Sequence, residues 1–152
     1  MIQRIQSIFL FVSLCFVIPI FFAPVANLVY ESGEILTFNL TGFYLTEAGT
    51  TTCVSNQYSL MIFGILICAL NLIIIFLYRN RVLQLRLCVY NIIFLAGLTG
   101  VVLFVLYSMT NVRSVSFSLP AVFPVVSIIL HCLAFRGIRK DELMVLALSR
   151  LR

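Results

Sequence analysis

Residues 58–109 read YSLMIFGILICALNLIIIFLY (58–78), RNRVLQLR (79–86) and LCVYNIIFLAGLTGVVLFVLYSM (87–109). Each flanking run is close to the ~20 apolar residues that cross a ~30 Å hydrocarbon core as a helix. The stretch between them, with Arg79, Arg81 and Arg86, is too polar to lie in that core and too short to hold a domain. A turn this short makes its two helices antiparallel neighbours. Two further apolar runs extend the pattern, so helices are expected at about 5–29, 58–78, 82–109 and 117–135, the last ending near Phe135 or continuing past Gly137 as a tail. Backbone amides in lipid must be bonded internally, which leaves helices or a closed barrel. Long runs without period-two alternation exclude the barrel. The expected fold is an all-α membrane protein, an antiparallel four-transmembrane-helix bundle forming one domain over 1–152.

Charge orients the bundle. Nine of the ten Lys and Arg residues (4, 79, 81, 86, 136, 139, 140, 150 and 152) fall on one side of the runs, and only Arg113 falls on the other. Basic residues stay cytoplasmic, which puts both termini, the 79–86 turn and a tail over 136–152 inside. The chain is 62% hydrophobic and 10% charged, with a net charge of +5. Its mean hydropathy is +1.17. Those charges flank apolar spans instead of forming a soluble basic face, so nucleic acid is not an expected partner. Membrane lipids are. The first run follows Arg4 as a signal peptide would, but it exceeds the ~7–15 apolar residues of such segments, and Pro24 interrupts the small-residue cleavage pattern. It is expected to be a retained helix.

The outer loop, 30–57, carries the one soluble pattern. Leu36, Phe38 and Leu40 alternate with polar or outward residues, the period of a half-buried strand. Residues 43–46 suggest a second strand, and Glu31-Ser32-Gly33-Glu34 and Glu47-Ala48-Gly49 suggest turns. A small antiparallel sheet should therefore rest on the outer ends of the helices, because an isolated hairpin is marginal in water. All four prolines, Pro19, Pro24, Pro120 and Pro124, fall in the outer half. Pro19 and Pro124 are expected to kink helices 1 and 4, either to open a cleft under the loop or to bend the helices to fit it.

Asn71, Asn91 and His131 form an intramembrane polar layer at similar depth, near Cys88 and Cys132. Such groups turn inward and find partners. They would either glue the helices together or line a small polar pocket. No membrane-embedded Asp, Glu, Lys or Arg accompanies them, as transport and proton relays usually require. Around the single histidine no Ser-His-Asp or Cys-His set is evident. The five cysteines lack metal-binding spacing. No catalytic residue, metal or cofactor is expected. Ala96, Gly97 and Gly100 permit close helix approach within the bundle or at a seam between copies. At the inner end, Arg79, Arg81, Gln84, Arg86, Arg139, Lys140, Asp141 and Glu142 make a basic edge. Gln84 and Arg86 are positioned to pair with Asp141 or Glu142 and lock the turn to the tail. The alternative is a docking surface.

Three signatures are more specific: Met1-Ile2-Gln3-Arg4-Ile5-Gln6-Ser7, Arg79 through Asn91, and Arg136-Gly137-Ile138-Arg139-Lys140-Asp141-Glu142 with Arg150-Leu151-Arg152. With these the chain resembles domain-of-unknown-function family 4293, small four-helix inner-membrane proteins of Bacteroidota, over essentially its whole length. The resemblance implies a bacterial inner membrane and supplies no activity. The apolar stretch 143–148 departs from the more charged tail of that family and favours docking of the tail on a membrane or partner. The architecture is also similar, by analogy alone, to claudin-like proteins, without their loop Trp and disulfide. The expected function is a non-enzymatic accessory or scaffold subunit of the inner membrane that engages another membrane or cytoplasmic protein. The alternative is a small transporter or lipid-binding protein with a cleft between helices 1 and 4.

Overall fold

A computed structural model describes residues 2–30, 34–47, 50–77, 80–109 and 112–150, with side chains over a smaller part of them. Among these residues four helices and five strands follow in the order α1 (Ile2–Val17), β1 (Ala26–Tyr30), β2 (Ile35–Asn39), β3 (Gly42–Glu47), β4 (Thr50–Asn56), α2 (Tyr58–Phe76), α3 (Arg81–Tyr107), β5 (Val112–Phe117) and α4 (Phe123–Arg150). Three helical stretches, Tyr58–Phe76, Arg81–Tyr107 and Leu119–Met144, are long and apolar enough to cross a membrane. The apolar stretch Ser7–Phe21 is shorter.

The first helix ends well before residue 29. Pro19 has no N–H to continue the α ladder, so α1 stops at Val17 and the chain tightens into a 3-10 turn, Ile18–Phe21. Pro24 then disfavours helix at Ala23. The remaining apolar residues become β1, with Ala26 and Leu28 buried. The other prolines are equally peripheral. Pro120 lies in the 3-10 turn Leu119–Val122, and Pro124 lies in the first turn of α4. Proline costs little at such positions. Pro19 and Pro124 therefore lie at the starts of elements and not inside α1 and α4 as expected.

The sheet is larger than the outer loop alone supplies. Its order is β4-β3-β2-β1-β5, antiparallel throughout. The short connection between α3 and α4 contributes β5, which pairs Phe117 with Ala26 and Ser116 with Asn27. The alternation of Leu36, Phe38 and Leu40 is realised, and all three are buried. With Val25, Ala26, Leu28 and Phe43 they pack on Leu60, Ile67, Leu95, Leu98 and Leu106 of α2 and α3. The sheet thus rests on one end of the helices, as a marginal sheet must. The turns anticipated at 31–33 and 48–49 lie outside the described residues.

The fourth helix does not end at residue 135. α4 continues through Gly137 as one helix of 28 residues. The reason is a buried stripe that persists past the apolar run: His131, Ala134, Ile138 and Asp141 recur at helical spacing and are all less than a tenth exposed. The tail is therefore part of the bundle at least as far as Asp141. The outward faces are the reverse of a soluble protein. Ile62, Phe76 and Phe104 are 67%, 76% and 71% exposed, while Ser13, Asn71, Asn91, Ser127 and His131 are wholly buried. A continuous apolar exterior of this kind marks a surface meant for apolar surroundings.

Two glycines are required by geometry. Gly64 lets the ring of Phe21 and the side chain of Leu40 approach α2, the closest seat of the sheet on the helices. Gly42 turns β2 into β3 at φ 152°, and a Cβ there would collide with the carbonyl oxygen of Ser55 on β4. Gly100 has open space around it, so within the described residues it is not a contact of this bundle. Gly42→Ala should lower stability by about 1–3 kcal/mol. Thermal unfolding in detergent checks this, with Gly100→Ala as the near-neutral control.

Candidate functional site

Three helices bring their polar side chains to one imidazole. His131 of α4 has Nδ1 at 2.9 Å from the Ser127 carbonyl oxygen, one turn back on the same helix. The same nitrogen is 2.9 Å from Ser13 Oγ on α1. The other ring nitrogen, Nε2, lies 2.8 Å from Asn91 Nδ2 on α3. A carbonyl oxygen only accepts, so the proton belongs on Nδ1, which donates to Ser127 and is shared with Ser13. Nε2 is then an acceptor and takes an N–H from Asn91. One neutral tautomer satisfies both sides of the ring. Two more bonds tighten the cluster. Ser127 Oγ donates to the Ser13 carbonyl at 3.2 Å, and the Cys88 thiol donates to the His131 carbonyl at 3.5 Å.

Of the three residues expected in the polar layer, the structure joins two. Asn71 is fully buried, but neither of its amide atoms has a partner. The hairpin register explains the separation. Gln84 of α3 bonds Ile74 of α2, so one turn along each helix sets Asn71 opposite Cys88, with Asn91 a turn further on. Ser13 and Ser127 were not singled out from the sequence. Serines inside apolar helices usually bond their own backbone and attract no notice. The usable signal was Ser127 and His131 at i, i+4, which share a face.

Serine, imidazole and amide in a row have the connectivity of a nucleophile, base and orienting group. Two features oppose that use. The nitrogen facing Ser13 is committed to the Ser127 carbonyl and has no free lone pair to take the serine proton. The side chains of Ser13, Asn91, Ser127 and His131 are also wholly buried, and four cavities and grooves among the described residues are lined by other residues. What the arrangement does is fix rotation and depth: the bonds from Ser13, Asn91, Ser127 Oγ and Cys88 each join a specific turn of one helix to a specific turn of another. Among the described residues no group of three His, Cys, Asp or Glu side chains is placed to hold a metal.

The inner edge is joined differently from expectation. Gln84 does not reach Asp141 or Glu142. Its Nε2 donates to the Ile74 carbonyl at 3.1 Å, serving a carbonyl in the last turn of α2. The link to α4 comes from Arg81, whose Nη1 donates to the Asp141 carbonyl at 3.4 Å. Arg86 is exposed and Glu142 half-buried. Arg79 lies outside the described residues. Arg139 and Lys140 are exposed and face a groove with Arg136. The anticipated cleft between helices 1 and 4 is closed by the Ser13–His131 and Ser13–Ser127 bonds, and higher up by Phe16 packed edge-on against Phe123 at 5.5 Å between centroids. Nearer the sheet a small apolar cavity of about 60 Å³ lies between Ile20, which follows α1, Pro120 and Pro124 at the start of α4, and Leu98 and Val102 of α3.

A family model described as Domain of unknown function (DUF4293) matches residues 2–151. The chain belongs to the DUF4293 family. No curated protein matches it. The match spans all four helices and the sheet.

The two asparagines should behave oppositely when made apolar. Asn91→Leu strands His131 Nε2 and should cost about 1–3 kcal/mol. Asn71→Leu removes a buried amide without partners and should be neutral or stabilising. Unfolding midpoints in detergent measure both; a clear loss with Asn71→Leu would mean that its amide is bonded in the folded protein. In a double-mutant cycle, Asn91→Ala with His131→Ala should couple by about 0.6 kcal/mol and by less than about 1.7.

Proposed function

We propose that this protein is a non-enzymatic, multi-pass protein of the bacterial inner membrane, with both termini cytoplasmic, that serves as an accessory or scaffold subunit. The observation that carries the reading is the inversion of polarity. Apolar side chains cover the outside of the helices, and in the middle the polar side chains of Ser13, Asn91, Ser127 and His131 meet and bond. Lipid is the solvent that favours this arrangement. α1 with its 3-10 extension spans roughly 32 Å at ~1.5 and ~2.0 Å per residue, enough to cross alongside the other three. Arg81, Arg86, Arg136, Arg139 and Lys140 gather at the end away from the sheet, which supports that end as cytoplasmic.

A scaffold role is favoured over chemistry because the one histidine is tied into the packing. It is favoured over transport because α1 and α4 are bonded together at the polar cluster, and the cavity nearer the sheet holds only about 60 Å³. The surfaces left for partners are the sheet edges β4 and β5, whose described side chains are exposed, and the basic inner end. Open edges pair with other strands unless something covers them.

Orientation is checked with the native thiols. Cys53 on β4 is exposed. In intact cells a membrane-impermeant maleimide should label it, whereas a cysteine placed by Lys140→Cys should react only after permeabilisation. The reverse pattern would overturn the orientation. The scaffold role is tested by photo-crosslinking from Val54 and from Asn80 in growing cells. One discrete protein recovered at stoichiometric yield supports it, and recovery of only lipids and self-links removes it.

A further inference from the structure

At the end of the bundle away from the sheet, α3 and α4 leave a groove of about 490 Å³. Its walls divide by chemistry. Toward the middle of the bundle they are Val89, Ile92, Cys132 and Phe135; toward the end they are Arg136, Arg139 and Lys140, with the apolar Leu143 one turn beyond. The three cations are exposed, and no ion pair joins any of them among the described residues. This separates them from Arg81, which is spent on the Asp141 carbonyl. Topogenic charge alone would not require the cations to converge on one apolar groove.

We propose that this groove is a binding site for one anionic phospholipid. Its phosphodiester lies on Arg136, Arg139 and Lys140, and one acyl chain lies along Val89, Ile92 and Phe135. The charge order of the groove matches that of the molecule, anionic at the end and apolar toward the centre. From Phe135 to Lys140 is about 8 Å along α4 at ~1.5 Å per residue, so head group and chain are met in succession along one helix. The volume lies within the ~300–1,000 Å³ range of small-molecule sites. Basic clefts between helices on the cytoplasmic side hold anionic head groups by this combination. An acidic soluble peptide would use the cations and leave the apolar wall bare, and a second copy of this chain would set like charges together. Specific lipid occupancy would tie the inner end of α4 to α3, where Arg81 and Cys88 already fasten it.

The inference rests on the reading that the helices lie in a membrane, and the test separates the two. Full-length protein in detergent is titrated with dioleoylphosphatidylglycerol, dioleoylphosphatidylcholine or inorganic phosphate, and bound lipid is counted by native mass spectrometry. One phosphatidylglycerol should be retained at about tenfold or lower concentration than phosphatidylcholine, and inorganic phosphate should not displace it at equal concentration. Arg136→Gln/Arg139→Gln/Lys140→Gln should abolish the preference, and Arg136→Lys/Arg139→Lys should keep it. Equal retention of the two lipids, an unchanged preference in the Gln variant, displacement by phosphate alone, or a dimer that excludes lipid would each overturn the site. Carbonate washing of native membranes tests the parent reading independently. Protein released into the supernatant defeats the membrane-spanning reading, whereas protein that stays in the pellet without a lipid preference defeats only the groove.

Discussion

The imidazole of His131 is bonded on both edges, and its partners reach it from α1, its own helix α4 and α3. Much else in the structure follows from that. In lipid, one apolar helix face is nearly as good as another, because tails and leucines are alike in polarity. Side-chain packing alone would allow the helices to slide or rotate at little cost. A ring that must give a proton at Nδ1 and accept one at Nε2 allows one rotation and one depth for each neighbour. Individually the bonds are weak, but they are directional, and direction is what four greasy cylinders lack.

The same logic extends to each end. At the sheet end, direction comes from strand registers: five strands fix where α1, α2, α3 and α4 must begin or stop. At the other end it comes from two side chains that serve backbone carbonyls, Gln84 to Ile74 and Arg81 to Asp141. Apolar contact fills the space between, in one large cluster beneath the sheet and a small one around Leu10, Ile74, Cys88 and Ala134. Polar contacts therefore locate the helices, and hydrophobic burial mainly seats the sheet on them.

Some of this was legible in the chain. The alternation at Leu36, Phe38 and Leu40 read correctly as a strand because a half-buried sheet imposes a period that hydrophobicity reveals. The hairpin of α2 and α3 was legible from run length and the arginine turn. β1 was not, since an unbroken apolar run has no period and only Pro19 and Pro24 hint that the helix has stopped. β4 was missed because its residues, from Thr50 to Asn56, are largely polar with a single valine. At the site, His131 and Asn91 stood out by being polar in apolar company. Their coupling to Ser13 depends on how α1 rotates against α4, a tertiary fact that no local spacing encodes. Arg81, and not Gln84, reaches α4 for a related reason: both lie in the first turn of α3, and which of them faces α4 is set by how α3 packs between its neighbours and not by sequence distance.

The pairing of β1 with β5 has a consequence for how the molecule is made. Ala26 meets Phe117, a partner about 90 residues downstream that leaves the ribosome roughly 5–20 s later at ordinary synthesis rates. Until then one border of the nascent sheet has no neighbour, and two further helices must be made before it gains one. The last strand acts as a clasp that shuts only once α2 and α3 have carried the chain away and brought it back.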